Sequence, residues 1–208
     1  MSRIEEIMTS SPVIPVIVID DLADAVPMAK ALLSGGLKVL EVTLRTEHGL
    51  AAIRKIKQEL PEAIVGAGTV ISAEDAENSV AAGAEFLVSP GHTDELVDRA
   101  LALGVPILPG VATPSEAMKM LAKGIRHLKF FPAEAVGGLK VLKAIAGPLP
   151  QLRFCPTGGI NPEKAIDYLA QNNILCVGGS WMLEKGDIAD KNWAAIESKA
   201  REAASLAG

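Results

Sequence analysis

The sequence predicts an α/β protein of eight parallel strands closed into a barrel and ringed by helices, and three observations carry that expectation. Apolar, β-branched runs begin near Val13, Lys38, Ala63, Glu85, Val105, His127, Arg153 and Ile174, about 20 to 25 residues apart, which leaves room for one helix between strands. The runs are too apolar for one face to meet water, as expected of parallel strands covered on both sides. No Gly-x-Gly-x-x-Gly follows the first strand, Val13 to Ile19. That absence favours a (β/α)8 TIM barrel over a doubly wound open sheet made from the same repeat.

The elements follow in order. Ile4 to Met8 has helical spacing, so a short N-terminal helix either plugs the bottom of the barrel or frays. Thr113-Pro114-Ser115-Glu116 reads as a capping box with proline in the first turn, and Asn161-Pro162-Glu163 as an N-cap followed by proline, so both open helices directly after strands. Gly35, Gly83, Gly104 and Gly124 each fall between a helical stretch and the next apolar run, where a left-handed C-cap is expected. With 208 residues, 49% hydrophobic and 22% charged, the chain is expected to form one domain, 1–208, with a substantial core.

Composition narrows the function classes. A net charge of −5 with no run of Lys or Arg gives no electrostatic reason to expect nucleic acid or an anionic membrane as a partner. The segment Met1 to Ser11 carries Arg3, Glu5 and Glu6 and lacks a signal-like apolar stretch, and no apolar run reaches membrane-spanning length, so a cytoplasmic protein is expected. Cys155 and Cys176 lie inside apolar segments with no Cys-x-x-Cys pairing and read as small core residues. His48, His92 and His127 are isolated, without metal-ligand spacing; no metal and no cofactor are expected.

A barrel keeps its reactive groups at the C-terminal ends of its strands. In the sixth run, alternation puts His127, Lys129 and Phe131 on one face and Leu128 and Phe130 on the other, so Lys129 points inward. An ammonium among apolar walls loses solvation, which favours the neutral amine able to attack a ketone. Position alone also allows a lysine paired with a buried carboxylate, or one that snorkels to the mouth. In the second run, Val39, Glu41, Thr43 and Arg45 share one parity and put a carboxylate and a guanidinium inward. Fully extended, Glu41 and Arg45 would stand roughly 13 Å apart at about 3.3 Å per residue, so the chain is expected to bend after Thr43. Glu41 suits general acid–base work and Arg45 a substrate carboxylate; the alternative is an internal salt bridge between them.

Cys155-Pro156-Thr157-Gly158-Gly159-Ile160-Asn161 ends the seventh run and Val177-Gly178-Gly179-Ser180 the eighth. Glycines there let backbone N–H groups approach an anion, and these two loops are the habitual phosphate site of such barrels. The same glycines can instead serve tight turns alone. Gly66-Ala67-Gly68-Thr69 and Ser89-Pro90-Gly91 end the third and fourth runs and read as walls of a compact site.

Glu41-Val42-Thr43-Leu44-Arg45-Thr46, Gly66-Ala67-Gly68-Thr69, Lys129-Phe130-Phe131-Pro132-Ala133-Glu134 and Phe154-Cys155-Pro156-Thr157-Gly158-Gly159 closely resemble the 2-keto-3-deoxy-6-phosphogluconate aldolase family, in order and over nearly the whole chain. The resemblance implies that Lys129 forms the Schiff base, Glu41 is the general acid–base, and Arg45 with Thr69 holds the pyruvate carboxylate. It implies that Phe131 packs beside pyruvate, Pro90 lines the pocket, Thr157 sits near the hydroxyl formed on aldol addition, and Gly158, Gly159, Gly179 and Ser180 contact phosphate. The reaction implied is reversible cleavage of 2-dehydro-3-deoxy-6-phosphogluconate to pyruvate and glyceraldehyde 3-phosphate, and also of 4-hydroxy-2-oxoglutarate to pyruvate and glyoxylate, by a homotrimer. Alternatives are the corresponding phosphogalactonate aldolase, a phosphosugar isomerase, decarboxylase or synthase, and a non-catalytic phosphosugar-binding barrel. His48 and His92 depart from the family pattern and bear on specificity.

Overall fold

A computed structural model describes residues 2–206, so the outermost positions of the 1–208 span lie outside the described residues. The chain runs α1 (Arg3–Thr9), β1 (Val13–Ile17), α2 (Ala25–Ser34), β2 (Val39–Thr43), α3 (Gly49–Glu59), β3 (Ile64–Gly68), α4 (Ala73–Ala81), β4 (Phe86–Val88) and α5 (Asp94–Ala102). It continues through β5 (Ile107–Leu108), β6 (Gly110–Val111), α6 (Pro114–Ala122), β7 (His127–Phe130), α7 (Gly138–Ala146), β8 (Arg153–Pro156), α8 (Pro162–Leu169), β9 (Val177–Gly179), α9 (Lys185–Ala189) and α10 (Trp193–Ala204).

All the strand pairings are parallel, giving a curled parallel-strand α/β fold. One sheet has the order β5-β4-β3-β2-β1-β9 and the other β6-β7-β8. The fifth expected run is split because Pro109 has no amide hydrogen to give the ladder, although its carbonyl still accepts from Lys129 N–H at 3.1 Å. Isolated bridges pair Phe154 with Ile174 and Thr157 with Gly178, which sets β8 alongside the last run. That run enters regular pairing only at Val177, and the first strand stops at Ile17 rather than Ile19.

Helix starts follow local chemistry. Thr113 and Glu116 form the reciprocal capping box with Pro114 in the first turn, and Asn161 Oδ1 accepts from Lys164 N–H at 2.9 Å. Gly83, Gly104 and Gly124 take φ of +99°, +67° and +80°, as expected of left-handed caps. Gly35 does not: it stays right-handed at φ −77°, and Gly36 carries the left-handed turn at +98°. Gly35 is small for another reason, since a Cβ there would lie 2.4 Å from Ala200 Cβ on α10.

Two apolar layers result. The larger lies between strands and helices and includes Leu40, Val42 and Leu128. The smaller fills the concave side of the strands with Ile7, Met8, Ile14, Val39, Phe86, Val88, Leu108, Cys155 and Cys176. Ile7 and Met8 are fully buried there, and Arg3 pairs with Glu85 at 3.0 Å just before β4. The N-terminal helix therefore plugs the end at which the strands begin and leaves the other end for the site. Each such fully buried side chain contributes about 1.5–3 kcal/mol.

Candidate active site

Strand parity sets the floor of the site. Val39 belongs to the inner layer and Leu40 and Val42 to the outer one, so Glu41 points inward from β2, as Lys129 does from β7. Their side chains meet with Lys129 Nζ 3.2 Å from Glu41 Oε1, at 4% and 3% exposure. The buried carboxylate that position alone allowed as a partner of Lys129 is Glu41 itself, and the alternative Glu41–Arg45 bridge does not form among the described residues. Burying two charges costs several kcal/mol per ion before their attraction offsets it. A pair kept there at hydrogen-bond distance can also pass a proton between nitrogen and oxygen. Lys129 Nζ further lies 5.3 Å from the centroid of the Phe131 ring.

Gly68 makes this floor possible. A Cβ at Gly68 would lie 2.4 Å from Glu41 Oε1 and 2.6 Å from its Cγ, so any larger residue would displace the carboxylate. Gly66 does the same for the Phe86 ring, at 2.4 Å.

The chain bends after Thr43, with Leu44 and Arg45 in a turn and Leu44 N–H donating to Gly68 carbonyl at 2.8 Å. Thr43 Oγ1 donates to the Ile17 carbonyl at 2.8 Å and anchors the end of the strand. Arg45 Nε donates to Thr69 Oγ1 at 3.2 Å. Thr69 adopts φ +60°, a conformation costly for a β-branched residue, and in this geometry its hydroxyl reaches the guanidinium.

A hollow of about 280 Å³ is lined by Val16, Arg45, Phe131, Thr157, Gly158, Gly159, Ile160, Gly178, Gly179 and Ser180; Lys129, Glu41 and Thr69 do not line it, but each adjoins a residue that does, Lys129 the Phe131 ring, Glu41 its β1 register partner Val16, and Thr69 the Arg45 guanidinium. The hollow brings together seven of the expected site residues from β2, β7, β8, β9 and their loops. Val16 was not singled out from sequence, being apolar with no chemical signal of its own, while Ile160 and Gly178 lay within the two glycine loops without a role assigned to them. Pro90 does not line this hollow. It borders a separate one with Val70, Ile71, Gly91, His92, Thr93 and Leu96. His92 Nδ1 lies 2.9 Å from the Gly110 carbonyl, and His48 precedes α3 without a side-chain cap.

The glycines of the rim have distinct reasons. Gly158 and Gly159 take φ of +108° and +77°, which side chains rarely adopt. Gly178 is needed because a Cβ would lie 2.2 Å from Thr157 Oγ1, and Gly179 because one would lie 1.9 Å from the Trp181 ring. The turn reading therefore holds for Gly158 and Gly159, whereas Gly178 and Gly179 lie in β9 and make room for Thr157 and Trp181. Ser180 starts a turn closed by Leu183 N–H at 2.9 Å, so the next helix is delayed to Lys185.

Cys155 and Cys176 are both buried and free. A hydrogen bond with Cys155, together with burial, pushes the Cys176 thiol well up, which disfavours a thiolate nucleophile. Among the described residues, no three of His, Cys, Asp and Glu come together as a metal-holding group, and no helix is long and apolar enough to cross a membrane.

Fold and site define a parallel α/β protein with a buried lysine–carboxylate pair beside a glycine-rimmed hollow. The KDPG and KHG aldolase family matches residues 4–199, and the chain belongs to that family. It is 52% identical to a KHG/KDPG aldolase of Escherichia coli K12 over 96% of this chain and 93% of that one. It is 50% identical to a 2-dehydro-3-deoxy-phosphogluconate aldolase of Zymomonas mobilis over the full length of both. Among solved structures it resembles a KDPG aldolase from Legionella pneumophila with pyruvate captured as a covalent carbinolamine intermediate, at a TM-score of 0.96 and 46% identity, covering 98% of this chain and 99% of that one.

Proposed function

We propose that the chain is a Schiff-base aldolase that reversibly cleaves 2-dehydro-3-deoxy-6-phosphogluconate to pyruvate and glyceraldehyde 3-phosphate, and also 4-hydroxy-2-oxoglutarate to pyruvate and glyoxylate. The observation that carries the proposal is the buried Lys129–Glu41 contact of 3.2 Å beside the hollow. Neutral Lys129 Nζ adds to the C2 ketone, and loss of water from the carbinolamine leaves a protonated imine. Glu41 takes the C4 hydroxyl proton as the C3–C4 bond breaks, and the bonding electrons pass into the imine to give an enamine and the aldehyde. Glu41 then returns its proton to C3, and water releases pyruvate and regenerates the amine.

Arg45, steadied by Thr69, holds the pyruvate carboxylate with the terminal edge of its guanidinium, and Phe131 covers the imine. Thr157 meets the C4 hydroxyl, while the backbone of Gly158, Gly159 and Gly179 with the Ser180 hydroxyl receives the phosphate. Pro90 borders the separate hollow with His92 and stands outside this set.

The reading includes a single 1–208 domain whose strands close as a (β/α)8 barrel. Continuity of β5 and β6 around Pro109 and the bridges from β8 to residues 174 and 178 support closure. It includes a cytoplasmic homotrimer, for which the exposed Ile71, Leu101, Met118 and Ile166 offer apolar surface. Release of pyruvate and glyceraldehyde 3-phosphate in a coupled assay, undiminished by a metal chelator, tests the activity. Binding of the phosphorylated substrate without product would instead favour the non-catalytic barrel.

A further inference from the structure

Beside the rim stands a cluster that the chemistry above does not use. Glu134 opens the short 3-10 turn Glu134–Val136, three residues beyond Phe131 on the loop that leaves β7. Its carboxylate accepts from two donors on α8: Tyr168 Oη to Oε1 at 2.6 Å and Lys164 Nζ to Oε2 at 2.5 Å. Its own N–H donates to the Gly158 carbonyl at 3.1 Å, and Ala133 N–H to the Thr157 carbonyl at 2.8 Å. Lys164 Nζ also reaches the Gly159 carbonyl at 3.4 Å. The backbone of residues 157–159 is therefore gripped from the β7 loop on one side and from α8 on the other, with Glu134 joining the two.

Two left-handed glycines leave room for the grip. A Cβ at Gly138 would lie 2.8 Å from both Glu134 Oε1 and Tyr168 Oη, and one at Gly159 would lie 2.9 Å from Glu134 Cβ. Tyr168 is 2% exposed while the Glu134 side chain is 31% exposed, so the bond between them is part-buried and less open to solvent competition than the Lys164 pair, whose lysine is 47% exposed. Hydrogen bonds from Lys164 and Tyr168 hold the Glu134 carboxyl below its usual range, while burial and Glu134 push the Tyr168 phenol up. At neutral pH the acceptor is thus ionised and the donor protonated.

We propose that Glu134 is a positioning residue: through Tyr168 and Lys164 it fixes the anion-facing backbone of Gly158 and Gly159, and so sets the preference for phosphorylated over unphosphorylated keto acids. The proposal rests on the phosphate site described above. The test is steady-state kinetics of Glu134→Gln, Tyr168→Phe and Lys164→Met with 2-dehydro-3-deoxy-6-phosphogluconate and with 4-hydroxy-2-oxoglutarate. Loss of support worth one ordinary net hydrogen bond corresponds to a rise of about five- to tenfold in KM for the phosphorylated substrate, with kcat and the unphosphorylated substrate unchanged. Tyr168→Phe, which removes a single hydroxyl, keeps the test available if Glu134→Gln folds poorly. Equal losses on both substrates, or unchanged KM in all three variants, overturn the proposal. Should the wild-type protein itself show no advantage for the phosphorylated substrate, the phosphate site fails first, and the positioning role with it.

Discussion

The Lys129–Glu41 floor draws its chemistry from two side chains at 4% and 3% exposure, whereas the rim at 157–160 and 178–180 offers mainly backbone and one exposed hydroxyl, Ser180. At the floor a change of one functional group alters the reacting atoms. At the rim, identity is constrained by shape, because Thr157 and Trp181 occupy the space that side chains at 178 and 179 would need. Substitutions at the floor should therefore act on kcat, and those at the rim on KM or on stability.

The largest effect is expected from Lys129→Ala, which removes the nucleophile and should lower kcat by about 10⁴-fold or more on either substrate; residual turnover near wild type would break the contrast. Glu41→Gln keeps the shape but not the base, and should lower kcat by about 10²–10⁴-fold with little change in KM. Gly179→Ala drives a methyl into the Trp181 ring, and the overpacking should cost about 1–3 kcal/mol in chemical denaturation. Ser180→Ala should raise KM for the phosphorylated substrate by about tenfold or more, the worth of a hydrogen bond to a charged group, and spare 4-hydroxy-2-oxoglutarate. A matching loss on both would contradict the phosphate role.

The smallest effect lies at the other end of the strands. Burial holds His127 below its ordinary 6.5, so the unfolded chain binds the proton more readily than the folded one. Its contribution to stability is then complete above about pH 6.5 and is lost as the pH falls through and below that value. Urea midpoints for the wild type and His127→Gln should converge on acidification, while the activity on both substrates stays with the floor and rim.

Much of the floor was legible because strand alternation is local: parity alone turned Glu41 and Lys129 inward, and the distance along an extended strand required the bend after Thr43. Their mutual contact was not legible, since it joins β2 to β7 across 88 residues. The glycines were visible as a pattern, but their causes are mostly tertiary. Gly68 yields space to Glu41 and Gly35 to Ala200, partners far along the chain, whereas Gly179 yields to Trp181 only two residues on. Pro90 sits with the wall residues in sequence yet borders a different hollow, because the turn after β4 faces α5. The break at Pro109 follows from its missing N–H, a local signal the run of apolar residues obscured.

Borohydride reduction in the presence of pyruvate, followed by peptide mass mapping, tests the central claim most directly. A single reduced pyruvate adduct on Lys129, formed with or without a chelator, is the predicted result. Labelling at another lysine, or no adduct at all, would contradict the account.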